Sequence, residues 1–457
     1  MSQGSKGIIV RGPAIPAHRS GVMLCMVFVL LVIGFFMVPQ LPGAQPQPDS
    51  LTKAEARAIA LELAGVLETK YIQPAAGKKI ADLIRGNITA GAYDGLLNCK
   101  DLAARLHRDA QSVNRDRHIA VYYSPERIQN QQNPQLQKKQ AQEARQRARM
   151  NNHGFREARI LAGNIGYLKM NGFDGTRAAF ETATAAMQFL ASSYAVIIDL
   201  RWNPGGDSRM VQLISSYFLG SDPQILDVFH FRESNRIEQL WSLPYVPGRT
   251  LEGVDVYILT SGFTFSAAEG LAYDLQALKR ATIVGETTMG GGHAVETVTI
   301  KDKLLVNIPH AVSINPVTRK NFQGVGVIPD VKASCENALH AAHALALKKR
   351  IVKETNPSIK SALQWALEGL PSRVVGLTPE EKQAYAGTYG PFTIVFDRGY
   401  LFLQFGPGKL RMTPVTAAYF LLENYDAFRI KINKAQGNVT GIQLCYKSKK
   451  TEAYPKR

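Results

Sequence analysis

Two short apolar runs constrain this chain more than any other feature: Tyr194-Ala195-Val196-Ile197-Ile198-Asp199-Leu200 and Val254 to Leu259. Both are rich in β-branched or aromatic residues and both are too short for a helix, so each reads as a buried strand. A tight loop follows each run. Asn203-Pro204-Gly205-Gly206-Asp207 leads into apolar residues at helical spacing over Met210 to Phe218, and Thr260-Ser261-Gly262-Phe263-Thr264-Phe265-Ser266-Ala267-Ala268-Glu269 leads into Gly270 to Leu278. Upstream lie a strand pattern over Ile165 to Met170 and an amphipathic helix over Arg177 to Ser192; Thr282 to Gly285 adds another strand downstream. Strands alternating with helices argue for a largely parallel sheet covered on both faces. Leu304 to Val312 reads as an added strand near the end of this core.

In such a sheet the loops after the carboxyl ends of the strands share one edge, where ligands bind. That brings Ser266 and the glycine pair to the same side. A serine between a strand end and a helix start has its oxygen above the sheet edge and its neighbouring N–H groups in the positive field of a helix N-terminus. An ordinary N-cap serine occupies the same place. A nucleophilic serine would also need a base and donors for the developing oxyanion. Gly205 and Gly206 lack side chains, so their N–H groups can approach a carbonyl closely and join that of Ala267. A plain Pro-Gly turn is the alternative. For the base, His118 stands at a strand entrance beside Asp116. His293 follows Gly290-Gly291-Gly292 in what reads as a mobile loop, and His310 sits within a strand as a packed residue.

The rest of the chain divides by composition. Residues 1–44 hold basic residues (Lys6, Arg11, Arg19), an apolar run from Val22 to Val38, and then Pro39, Pro42, Gly43 and Ala44. This order predicts a secretory signal or an uncleaved N-terminal anchor, and hence export to a periplasmic, extracellular or outward-facing membrane location. Cys99, Cys335 and Cys445 lie beyond it, an odd number without metal-like spacing. Residues 45–125 read as a helical domain, with Ala56, Ile59, Leu63 and Val66 on one face. Residues 126–158 form a basic, Gln-rich linker with almost no large apolar side chains, fit for a solvated helix or a loose connection. The α/β core occupies 159–350 and a helical connector 351–376. Short strands with Gly and Asn joints fill 377–457, predicting a small antiparallel sheet or barrel. The net charge of +17 comes with no nucleic-acid-binding motif and no zinc spacing, so it reads as a solvated basic surface. No nucleic-acid partner, metal or cofactor is expected; membrane association through the N-terminal segment is.

Asp199-Leu200-Arg201-Trp202-Asn203-Pro204-Gly205-Gly206, Thr260 to Glu269, Gly285-Glu286-Thr287-Thr288 and Gly324-Val325-Gly326-Val327-Ile328-Pro329-Asp330 occur in the order seen in tail-specific (C-terminal-processing) serine proteases. The chain resembles that family from about Leu51 to Val331. Its helical segment ending in Asp116-Arg117-His118 is similar to the N-terminal domain of the branch related to interphotoreceptor retinoid-binding protein. The resemblance implies a crotonase-like (ClpP/crotonase) α/β core, Ser266 as nucleophile, and Gly206 and Ala267 as oxyanion donors. It implies a peptide or protein substrate. Where the Ser–Lys branch carries its lysine, this chain has Thr288-Met289-Gly290-Gly291-Gly292, so a Ser–Lys dyad is not expected. The tricorn-like branch takes a histidine from the segment before the core, which maps onto His118. The residue matching that branch's orienting carboxylate is the neutral Gln323. A PDZ domain is absent, with the basic Gln-rich stretch in its place. The expectation is an exported serine peptidase with a histidine base; the alternative is a non-catalytic carrier on the same fold.

Overall fold

The computed structural model describes residues 49–370 and 376–457. The apolar run Val22 to Val38 lies outside the described residues, and among those described no helix is long and apolar enough to cross a membrane.

Six strands form the sheet that carries the site, in the order Val331–Lys332, Ala281–Gly285, Asp255–Thr260, Ala195–Asp199, Ile165–Met170, Phe155–Leu161. The first five run parallel, and Phe155–Leu161 joins antiparallel at the edge. Successive side chains of a strand face opposite sides, and both sides here are covered. Val196, Ile198, Val256 and Ile258 pack with Met187, Ile214 and Leu271 from helices Arg177–Phe189, Ser208–Leu219 and Ala267–Ala277. Their neighbours Ile197, Tyr257 and Leu259 pack with Ala342, Leu347 and Leu363 from helices Ala338–Lys353 and Pro357–Glu368. Burial on both faces is why the central strands read as unbroken apolar runs.

Leu304–Ile314 does not belong to this sheet, contrary to the expectation from sequence. It is the centre of a second, antiparallel sheet. One edge pairs with His293–Ile300, the other with Ala120–Tyr122 and Ile225–Phe231; Ile237–Trp241 extends the latter. The cause is the turn between Ile300 and Lys303, where Lys301 and Asp302 both have positive φ (48° and 51°). Two such residues close a tight hairpin, which forces antiparallel pairing where a crossover would be needed for parallel.

The N-terminal helices Lys53–Lys70, Pro74–Thr89 and Cys99–Val113 share a core with this second sheet: Ile59, Leu63, Leu67 and Leu106 meet Ile300, Leu304, Val306 and Ile308. That shared core, with Ala120 paired to Asn307, carries the turn Asp116–His118 to the middle of the molecule. The basic segment forms the helix Pro134–Met150, none of whose residues is buried. At the C-terminus eight antiparallel strands, from Gly387–Tyr389 to Thr451–Pro455, follow one another in sequence order. A bridge between Tyr389 and Lys456, with Arg457 N–H donating to Thr388 O (3.0 Å), draws the ends together into a near-barrel.

Candidate active site

Ser266 sits between strand Asp255–Thr260 and helix Ala267–Ala277 with φ 54° and ψ −127°. A serine in this region is strained and persists only where its surroundings hold it. Here two sets of bonds do so. The first ties its loop to the loop after Ala195–Asp199: Thr264 Oγ1 donates to Leu200 O (2.9 Å), Ser261 Oγ to Arg201 O (2.5 Å) and Phe265 N–H to Asn203 O (3.1 Å). The second converges on Glu269, which is fully buried. Its Oε2 accepts from the N–H groups of Ser266 (2.8 Å) and Gly291 (2.7 Å), and its Oε1 from Gly290 N–H (2.6 Å) and Thr288 Oγ1 (2.5 Å). Burial raises the Glu269 carboxyl above its ordinary range, and the four donors only partly pull it back. One carboxylate thus clamps the Ser266 backbone to the glycine loop 290–292. Sequence reasoning did not single out Glu269, although Ser266-Ala267-Ala268-Glu269 has the spacing of a capping box.

The glycine pair belongs to the same construction. Gly205 and Gly206 have φ of 94° and 138°. A Cβ at Gly205 would lie 2.7 Å from Phe265 O, and one at Gly206 2.1 Å from Phe173 O. Gly205 N–H is spent on Asn203 Oδ1 (2.8 Å). The N–H groups of Gly206 and Ala267 have no protein acceptor among the described residues, and both residues line one cavity of about 540 Å³ with Ser266.

His118 and His293 line that cavity too. The His118 ring packs on Phe265, the residue before Ser266, with ring centroids 4.5 Å apart. Asp116 holds both histidines. Its Oδ1 accepts the His118 N–H (3.0 Å) and lies 3.6 Å from His118 Nδ1, a charge contact rather than a hydrogen bond. Its Oδ2 lies 2.7 Å from His293 Nδ1 and accepts from Tyr71 Oη (3.0 Å). Burial alone would raise the Asp116 carboxyl; the two imidazoles and the His118 N–H outweigh it and hold the group well below the usual carboxylate range. Burial and the facing Asp116 push the Tyr71 phenol up, so it stays a neutral donor.

Two expectations are corrected. Gln323 does not hold His118: its Oε1 accepts the Gly292 N–H (2.7 Å), and the carboxylate at His118 is Asp116. Asp116 wins because it lies in the same turn, two residues before the ring it faces. His293 is not in a mobile loop but opens the strand His293–Ile300 and is buried. His310 lies within Leu304–Ile314, its ring packed against Phe231.

Two family models match in tandem: "N-terminal domain of Peptidase_S41 in eukaryotic IRBP" over residues 51–156 and "Peptidase family S41" over 164–333. The chain belongs to peptidase family S41, with the N-terminal domain of the retinoid-binding-protein type. It is similar to the carboxy-terminal-processing protease of Bartonella bacilliformis, at 26% identity over 177 residues, which is 37% of this chain and 39% of that protein. Among solved structures it resembles the photosystem II D1 C-terminal processing protease (23% identity, TM-score 0.33, 38% of this chain and 43% of that one). It also resembles the tricorn protease (13% identity, TM-score 0.43, 65% and 37%). The chain spans about two fifths of the length of the first two of these relatives.

Proposed function

We propose that the chain is an exported serine peptidase acting through an acyl-enzyme on Ser266, on a core of the crotonase type. The observation that carries this is the strained serine sharing one cavity with the His118 imidazole, 3.6 Å from the Asp116 carboxylate, and with two uncommitted N–H groups. In this scheme Ser266 Oγ attacks the peptide carbonyl as its proton passes to His118. The Asp116 charge, fixed beside the ring, stabilises the imidazolium. The carbonyl oxygen becomes an oxyanion that accepts from the Gly206 and Ala267 N–H groups. As the tetrahedral centre collapses, the C–N bond breaks and His118 returns its proton to the leaving amine. Water, deprotonated by the same imidazole, then attacks the ester; the C–O bond to Ser266 breaks and His118 returns the proton to Ser266 Oγ as the acid product leaves.

The 2.7 Å bond from Asp116 to His293 supports a second assignment, in which His293 is the base. Export rests on the basic and apolar order of residues 1–44. A serine-directed fluorophosphonate applied to the wild type and to Ser266→Ala tests the enzyme. Labelling of the wild type that vanishes in the variant is expected; an unlabelled wild type would instead point to a carrier on the same fold.

A further inference from the structure

The cavity that holds Ser266 has a second end. Ser266, Gly270 and Asp274 are spaced four residues apart at the start of and along helix Ala267–Ala277, so they share one face, and all three line the cavity. Asp274 is about 12 Å from Ser266 along the helix axis, at about 1.5 Å per residue, and its side chain leans back toward the helix start. Between them Gly270 keeps the way open: a Cβ there would meet nothing within 4 Å.

At the far end two carboxyls meet. Asp274 and Asp227, from strand Ile225–Phe231, are both buried, yet both line the cavity. They are braced from one strand face and its continuation: Ser313 Oγ donates to Asp227 Oδ2 (2.6 Å) and Asn315 Nδ2 to Asp274 Oδ1 (3.0 Å). Val228 N–H donates to Asp227 Oδ1 (2.8 Å). The second oxygen of Asp274 has no donor among the described residues. The apolar walls of this cavity include Val211, Phe229, Leu240 and Phe322. The other charged or titratable side chains of the cavity, Arg117, His118 and His293, are basic.

We infer that this end of the cavity is the pocket for the substrate side chain next to the scissile bond, and that it selects lysine or arginine. The inference rests on the peptidase reading above. Apolar walls suit the methylene stem of a basic residue, and a carboxylate pair with an unfilled acceptor suits its cationic head. A neutral side chain of equal length would leave that acceptor unsatisfied, which is what makes such a site discriminate. Burial raises the Asp227 carboxyl; burial and then the neighbouring Asp227 raise that of Asp274. An arriving cation offsets both effects.

The test compares peptides that differ only at this residue, carrying lysine, norleucine or alanine. Binding to full-length Ser266→Ala is read by fluorescence anisotropy, and kcat/KM is measured on the wild type. Lysine is expected to exceed norleucine at least tenfold in both, and Asp274→Asn or Asp227→Asn to collapse that ratio. Gly270→Leu, which enters open space on a helix, is expected to lower the lysine-to-alanine ratio even if the aspartate variants fail to fold. Norleucine equal to or better than lysine, or ratios unmoved in the variants, would overturn the inference. Fluorophosphonate labelling of the same wild-type sample separates the two readings. Labelling with a norleucine preference sinks the basic pocket alone; lysine-selective binding without labelling keeps the pocket and sinks the peptidase.

Discussion

Asp116 is the carboxylate that faces both candidate bases, His118 and His293, and its replacement should show it. Asp116→Asn keeps the size and the turn but removes the charge that steadies an imidazolium. A fall in kcat/KM of about 10³–10⁴-fold is expected, with near-native far-UV circular dichroism. His118→Ala and His293→Ala, assayed side by side, identify the base. Loss of nearly all activity is expected in the first and a smaller loss in the second; the reverse result transfers the role to His293. The Asp227–Asp274 pair gives a prediction of opposite electrostatic sign. Their folded-state values are raised, so the folded chain binds a proton there more tightly than the unfolded one. The stability this contributes is present below the unfolded carboxyl range and lost as pH rises through the raised values. Asp274→Asn removes the effect, so its melting temperature should change less between pH 5 and pH 8 than that of the wild type. At this scale the ordered motifs marked Ser266, Gly206 and Ala267, and the resemblance to the tricorn-like branch marked His118. It offered Gln323 as His118's support because linear correspondence cannot show which side chain a turn folds onto a ring.

Among the elements, the loop 286–292 has three donors, from Thr288, Gly290 and Gly291, held by one buried carboxylate. Glu269→Ala strands four buried donors, each costing about 1–3 kcal/mol when unpaired. A loss of at least about 3 kcal/mol in urea unfolding, together with loss of fluorophosphonate labelling, is the expected result. Glu269→Gln keeps the size but replaces one acceptor with a donor facing N–H groups, so it should rescue the stability only in part. The strands of the parallel sheet were legible because both their faces are buried, which leaves continuous apolar runs. The second sheet was not. Only the two end residues of His293–Ile300 are buried, and Ala120–Tyr122 is three residues long. Which strands pair with Leu304–Ile314, between 4 and 187 positions away in sequence along their registers, is what local pattern carries no trace of.

Across the whole molecule, the near-barrel adds no residue to the cavity of Ser266. Among the described residues, a buried contact ties it to helix Pro357–Glu368. The Arg429 guanidinium lies 3.7 Å over the Trp365 ring and donates to Trp365 O (2.6 Å), while Trp365 Nε1 donates to Asp426 Oδ1 (2.8 Å). Arg429→Lys keeps the charge but loses the planar stack. It should cost about 1–2 kcal/mol, read as earlier loss of Trp365 fluorescence in urea, with labelling of Ser266 retained. By itself the sequence determined the parallel core, the loops at its carboxyl edge and the serine presented there. Burial, propensity and helix starts are local properties, and they leave a local record. The tertiary structure alone decided what surrounds that serine: the Asp116 and His118 turn delivered by a separate helical layer, the Glu269 clamp, and the acidic end of the cavity. Those depend on which distant segments share a core, and hydrophobic burial specifies that some partner is needed without specifying which.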